Sequence, residues 1–146
     1  MRFDKDSTDN TAEKIVHQND LKELTKIFKE YGEERHAYKI AKKIKDLNDK
    51  VDVFAITSVV DQVTPFKYRL KTYSRIFQAL RIATNDELNH LKFFLDNFID
   101  LLSPQGRIVV ISYHSIEDRI VKHKFKDLKN KKKMNLIYKK PLIPSK

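Results

Sequence analysis

The chain has 146 residues, a formal net charge of +10 and no cysteine. That length suits one ordinary domain with a sizeable core, and the lack of thiols excludes disulfides and zinc–thiolate sites and fits a reducing compartment. Only two glycines occur, Gly32 and Gly106, so no glycine-rich phosphate or dinucleotide loop can be built.

The charge is unevenly placed. Residues 1–118 hold 19 Lys/Arg and 19 Asp/Glu, whereas residues 119–146 hold 11 Lys/Arg and one acid, Asp127. A basic end of this kind suits a polyanion, nucleic acid above all. The bland alternative is a solvated lysine tail around Lys129 and Lys131-Lys132-Lys133. No apolar run is long enough to span a membrane. The polar start, Met1-Arg2-Phe3-Asp4-Lys5-Asp6, lacks the apolar stretch of a signal peptide, so the expected location is the cytosol.

Residues 1–9 are polar and are expected to be irregular. Asn10-Thr11-Ala12-Glu13 has capping-box spacing and opens a short helix to about Val16; Asp20 and Glu23 repeat the spacing. The next helix carries Leu21, Leu24, Ile27, Phe28 and Tyr31 on one face and stops at Gly32, read as a C′ glycine. A third runs from about Glu33, with Ala37, Ile40, Ala41, Ile44 and Leu47 as its apolar stripe. Asp52 caps a fourth, carrying Ile56, Val59, Val60 and Val63, and Pro65 ends it. Residues 10–65 thus read as a small helical domain without catalytic chemistry.

Residues 66–76 read as a basic, tyrosine-bearing connector with Lys67, Tyr68, Arg69, Lys71, Tyr73 and Arg75. Interleaved cations and rings suit a nucleic-acid backbone with a base to stack on; a solvated loop is the alternative. Phe77, Leu80, Thr84, Leu88, Leu91, Leu95, Phe98 and Leu102 then mark one long amphipathic helix, or two joined near Asn85. Ser103-Pro104-Gln105-Gly106 is a turn signal, and Arg107-Ile108-Val109-Val110-Ile111-Ser112 reads as a parallel strand. Residues 135–140 read as a weaker strand. A helix, tight turn and strand make half of an α/β unit, yet two strands are too few for a stable sheet.

The strand delivers Tyr113-His114-Ser115-Ile116-Glu117-Asp118-Arg119 to the carboxyl edge of that sheet, where α/β folds bind ligands. Ser115 as the N-cap of a helix starting at Ile116, with Glu117 and Asp118 in its first turn, is the structural alternative. His114, Glu117 and Asp118 also invite a metal reading, but three groups so close in sequence rarely close a site alone. Upstream, Gln78, Arg81 and Asn85 share a helix face at steps of three and four. They either face substrate or serve the fold, through an Arg81 ion pair with Asp86 or Glu87 and an Asn85 cap.

These stretches resemble one family. Phe77-Gln78-Ala79-Leu80-Arg81-Ile82, Asn85-Asp86-Glu87-Leu88, Ser103-Pro104-Gln105-Gly106-Arg107 and Ser112 to Lys122 closely resemble the bacterial small-subunit rRNA cytosine-N4 methyltransferases (MraW/RsmH). Tyr31-Gly32-Glu33-Glu34-Arg35, Lys139-Lys140-Pro141-Leu142-Ile143-Pro144-Ser145 and Met1-Arg2-Phe3-Asp4 resemble the same family, so the likeness runs in order along the chain.

The resemblance implies an α/β chain: part of a Rossmann-like class I methyltransferase sheet with a helical insert, mostly helical in this chain. Residues 10–65 would be the substrate-recognition insert and 66–146 the C-terminal part of the methyltransferase domain. It also implies methyl transfer from S-adenosylmethionine to a cytosine amine in the decoding region of 16S rRNA. The small ribosomal subunit would be the partner. The family's glycine-rich cofactor loop and its D-L-G-x-S-S segment have no counterpart in these residues. The expectation is therefore a truncated or split member, inactive alone, completed by a separate N-terminal half or prone to self-association, with no cofactor-binding residue. On this map His114, Glu117 and Asp118 are supporting groups, while Lys71, Arg75, Gln78, Arg81, Asn85 and Arg119 contact RNA. Lys71-Thr72 stands where the family usually has His-Pro, Ser74 where it has Thr, and Gln105 where it has Gly. The runner-up is a basic RNA-binding or interaction module without catalysis.

Overall fold

The computed structural model describes residues 11–47 and 51–143. The irregular start expected over residues 1–9, the Asn10 cap and the end of the chain beyond Ile143 lie outside them. Contacts divide the chain into two compact units, Met1–Glu87 and Leu88–Lys146.

The first unit is a helical bundle made of α1 (Ala12–Gln18), α2 (Leu21–Glu30), α3 (Ala37–Lys45), α4 (Val53–Val63) and α5 (Arg69–Asn85). Its caps are local chemistry. Thr11 Oγ1 accepts from the Lys14 amide, Asp20 Oδ1 from Glu23 and Asp52 Oδ1 from Ala55, each satisfying an orphan N–H of a first turn. Helix α2 packs on α3 and α5, and α4 packs on α3 and α5. They enclose Leu24, Phe28, Ile40, Ile44, Val60, Ile76 and Leu80, all fully buried or nearly so. From α3, Lys45 Nζ donates to the carbonyls of Val16 and Asn19 at 3.0 and 2.8 Å, so a cation closes the C-terminus of α1.

Parts of this unit differ from the sequence reading. The third helix begins at Ala37 rather than near Glu33, because Glu33 takes a left-handed φ of 50°. Gly32 does occupy the C′ position after the Tyr31 cap, as expected, but without a positive φ. It is there for space. A Cβ at position 32 would lie 2.6 Å from the Arg75 carbonyl oxygen and 2.8 Å from that of Phe28. The connector expected over 66–76 is also helical: a 3-10 turn, Phe66–Tyr68, runs into α5.

The second unit contains α6 (Glu87–Asn97, entered through Asp86 at φ 50°), a 3-10 turn at Phe98–Leu101, and α7 (Ser115–Asn130). The long apolar stripe is therefore two helices joined at Asn85–Asp86. Leu95, Phe98, Val121 and Leu128 form the core of this unit, with Phe125 at 6.0 Å from the Phe98 ring. The Lys run ends α7. Lys132 is left-handed at φ 57°, and the amides of Lys132 and Lys133 return to the carbonyls of Lys129 and Leu128 at 2.9 Å, a Schellman closure.

The strands expected at 107–112 and 135–140 form no ladder; among the described residues there is no strand. The alternation survives without the pairing. Ile108 and Val110 pack on the core of the second unit, while Val109 and Ile111 are 86% and 74% exposed. An extended segment becomes a strand only when a neighbour accepts its hydrogen bonds.

Candidate functional site

The first polar group is built where the Tyr31–Glu34 turn meets α5. The Gly32 backbone approaches Arg75 closely enough to exclude a side chain, which lets Gln78 Nε2 donate to the Tyr31 carbonyl at 2.9 Å. Glu34 is buried, with its side chain only 1% exposed. One carboxylate oxygen accepts the His36 amide at 2.8 Å and the other lies 3.5 Å from Arg75 Nη1. Burying a carboxylate is tolerated only with such partners. The sequence reading missed Glu34; its signal was the Tyr31-Gly32-Glu33-Glu34-Arg35 motif, but the pairing with Arg75 spans 41 positions.

The second group closes the end of α5. Arg81 meets Glu87 in a two-point contact, Nε to Oε1 at 3.0 Å and Nη2 to Oε2 at 3.1 Å. Asn85 Nδ2 donates to the Arg81 carbonyl at 2.9 Å. These are the ion pair and cap weighed from the sequence, and they fix the chain as it turns through Asp86. Of the residues expected to contact RNA, Gln78, Arg81 and Asn85 are thus held within the fold, while the Arg75 side chain stays 40% exposed beside Glu34. Lys71 is exposed on α5 and Arg119 is exposed on α7.

The third group heads α7. His114, not Ser115, is the N-cap: its Nδ1 accepts the Glu117 amide at 3.4 Å, and Ser115 is the first helical residue. Glu117 returns the favour, its Oε2 accepting the Tyr113 amide at 2.9 Å. The pair acts as a reciprocal box built from an imidazole and a carboxylate. Nε2 of His114 is buried, makes no hydrogen bond and lies 3.5 Å from Glu117 Oε1. Asp118 sits in the same first turn, its amide bonded to the His114 carbonyl at 3.2 Å. Glu117 is therefore occupied in holding the loop that follows residues 107–112.

One more cluster stabilises the start of α5. Arg69 donates to the carbonyls of Asp61 and Thr64 at 2.9 and 3.2 Å and pairs with the Asp61 carboxylate at 3.2 Å. Tyr73 donates its hydroxyl to the same carboxylate. That bond holds the phenol neutral and raises its pKa above the ordinary value of 10.0.

Comparison with known proteins decides the family. The MraW methylase family model matches residues 1–146. The chain belongs to the MraW methylase family. A protein of Halothermothrix orenii named ribosomal RNA small subunit methyltransferase H is 42% identical over 99% of this chain and 53% of its own length. Proteins of the same name from Dictyoglomus turgidum and Rippkaea orientalis are 46% identical over 90% of the chain and 40% identical over 99% of it, covering 45% and 47% of their own lengths. The chain spans about half the length of the curated relatives it matches.

Proposed function

We propose that this chain serves S-adenosylmethionine-dependent N4-methylation of a cytosine in the decoding region of 16S rRNA, and that by itself it is inactive. The observation that carries the reading is the match of the family along all 146 residues. The likeness to proteins named ribosomal RNA small subunit methyltransferase H supports it. In this reading the extended segment 107–112, with its inward Ile108 and Val110, is a strand of a class I sheet completed by residues outside this sequence. Residues 10–65 are the substrate-recognition insert and residues 66–146 the C-terminal part of the methyltransferase domain. The small ribosomal subunit is the partner and the cytoplasm the location; among the described residues no helix is long and apolar enough to cross a membrane.

The residues present do not fit the methyl donor. Backbone amides in a glycine-rich loop are the usual cradle for such a cofactor, and the chain's two glycines are both filled by protein. Position 32 abuts the Arg75 carbonyl, and at position 106 a Cβ would meet the Ser103 carbonyl at 2.8 Å. What the chain supplies is the substrate side. An exocyclic amine is a weak nucleophile and must be held in line with the methyl group. His114, Glu117 and Asp118 hold the loop at the end of the extended segment, as positioning residues. Lys71, Arg75, Arg119 and the tail lysines meet phosphates, with Gln78, Arg81 and Asn85 stiffening the helix that carries Lys71 and Arg75.

The test is transfer of radiolabelled methyl groups to small-subunit rRNA, by the chain alone and with a polypeptide spanning the remaining half of a relative. The reading expects incorporation only in the mixture. No incorporation in the mixture, despite intact RNA binding, would favour the alternative: a non-catalytic basic RNA-binding module, which the tail charge supports.

A further inference from the structure

We infer that the 3-10 turn Phe66–Tyr68 is a stacking platform for single-stranded RNA, with Phe66 and Tyr68 as the rings and Lys67 and Lys71 as the phosphate contacts. The inference rests on the rRNA reading above and deepens it by naming where an unpaired substrate strand is gripped.

Four observations carry it. Phe66 and Tyr68 are 85% and 53% exposed, whereas the nearby Tyr73 bonds Asp61 and Phe77 packs on the core. The exposed rings are held in place. The Arg69 guanidinium stacks on Phe66 at 5.6 Å while it is itself tied to Asp61 and Thr64, and the Lys67 ammonium lies 5.7 Å from the centre of the Tyr68 ring. A ring ordered before binding loses little freedom when a base stacks on it.

The surroundings have one sign. Between Asp61 and Asp86 the chain has five cations, Lys67, Arg69, Lys71, Arg75 and Arg81, and no acid. Three of them are committed to Asp61, Glu34 and Glu87. Lys67 and Lys71 are the exposed ones, and no ion pair to either is seen among the described residues. Exposed aromatic faces beside uncompensated cations are how sequence-tolerant single-strand sites are made. Duplex RNA offers no unstacked base to such rings. That charge complementarity favours RNA over a protein partner.

The chain has no tryptophan, which makes the test clean. Binding of a fluorescein-labelled single-stranded 12-mer RNA to the full chain is followed by anisotropy, with the same sequence as a duplex for comparison. Phe66→Ala and Tyr68→Ala should each weaken single-strand binding by roughly 5- to 150-fold. They should leave duplex binding almost unchanged. Phe93→Ala, which removes a ring that is 72% exposed in the other unit, should do neither. Phe66→Trp should retain affinity, and its emission should be quenched by RNA. Phe54→Trp, at the far end of α4, should keep its emission. Far-UV circular dichroism checks that each variant folds.

Single-strand affinity unchanged in F66A/Y68A would overturn the platform, as would failure of the unaltered chain to bind the 12-mer. A change of sedimentation in F66A/Y68A with RNA affinity intact would also overturn it, by assigning the rings to a protein contact. None of these outcomes bears on methyl incorporation in the complemented assay, so the platform and the enzymatic reading fail separately.

Discussion

Gly32→Ala is the sharpest probe of how α5 is seated. The added methyl would sit 2.6 Å from the Arg75 carbonyl oxygen, short of ordinary van der Waals contact near 3.4 Å by about 0.8 Å, and 2.8 Å from the Phe28 carbonyl. Both obstacles are backbone, so α2 and α5 must move apart as rigid pieces and their packed core must open. Overpacking of this kind costs about 1–3 kcal/mol. The φ of Gly32 is not positive, so alanine also restricts the unfolded chain and recovers about 0.4–1 kcal/mol. The net is a loss of about 1–2 kcal/mol. For a unit of this size that lowers Tm by about 4–8 °C per kcal/mol. Thermal denaturation followed by far-UV circular dichroism reads it directly. An unchanged or higher Tm would refute the claim that glycine is needed for close approach.

Other expectations follow from single contacts. Gln105 and Lys132 hold left-handed φ values of 65° and 57°, so Gln105→Gly and Lys132→Gly should each raise Tm, the relief of about 1–2 kcal/mol exceeding glycine's entropic cost of about 0.5–1 kcal/mol. Lys45→Met removes the cation that closes α1 and should cost about 1–2 kcal/mol in a denaturant titration, since bonds from a charged donor outweigh neutral ones. Tyr73 should ionise above the ordinary phenol value of 10.0, seen by ultraviolet difference titration against Tyr73→Phe. Its bond to Asp61 stabilises the fold fully below pH 10.0 and is lost as pH rises through the raised folded pKa. Tyr73→Phe should erase that alkaline dependence. Replacing Lys129, Lys131, Lys132 and Lys133 with Gln should flatten the salt dependence of RNA binding by up to about 3 in log–log slope, while leaving Met134 on its core.

What was legible in the sequence was local. Asp20 and Asp52 cap where their side chains reach an amide three residues on, and Ile40, Ala41 and Ile44 are buried as their spacing requires. The break at Asn85–Asp86 was equally local. The failures have physical causes. The alternation at 107–112 identifies an extended segment, but pairing depends on a partner that no local pattern contains. Ser115 and His114 compete for one cap, and an imidazole nitrogen is an unusual acceptor there. Gly32 does follow the cap of α2, as the sequence indicated, but its use as a gap against Arg75 depends on a helix over forty residues away. Glu34 and Arg75 were hidden for the same reason. The motif residues pointed to the right family before their contacts were known. Several of them, Gln78, Arg81 and Glu117 among them, turn out to brace the helices and loops that carry the exposed cations.

The central claim is that the chain carries the RNA side of an rRNA methyltransferase without its donor site. Calorimetric titration of S-adenosylmethionine into the 146-residue chain tests it most directly. The account predicts no binding heat at micromolar to sub-millimolar donor. A saturable, one-to-one isotherm with micromolar affinity would contradict it.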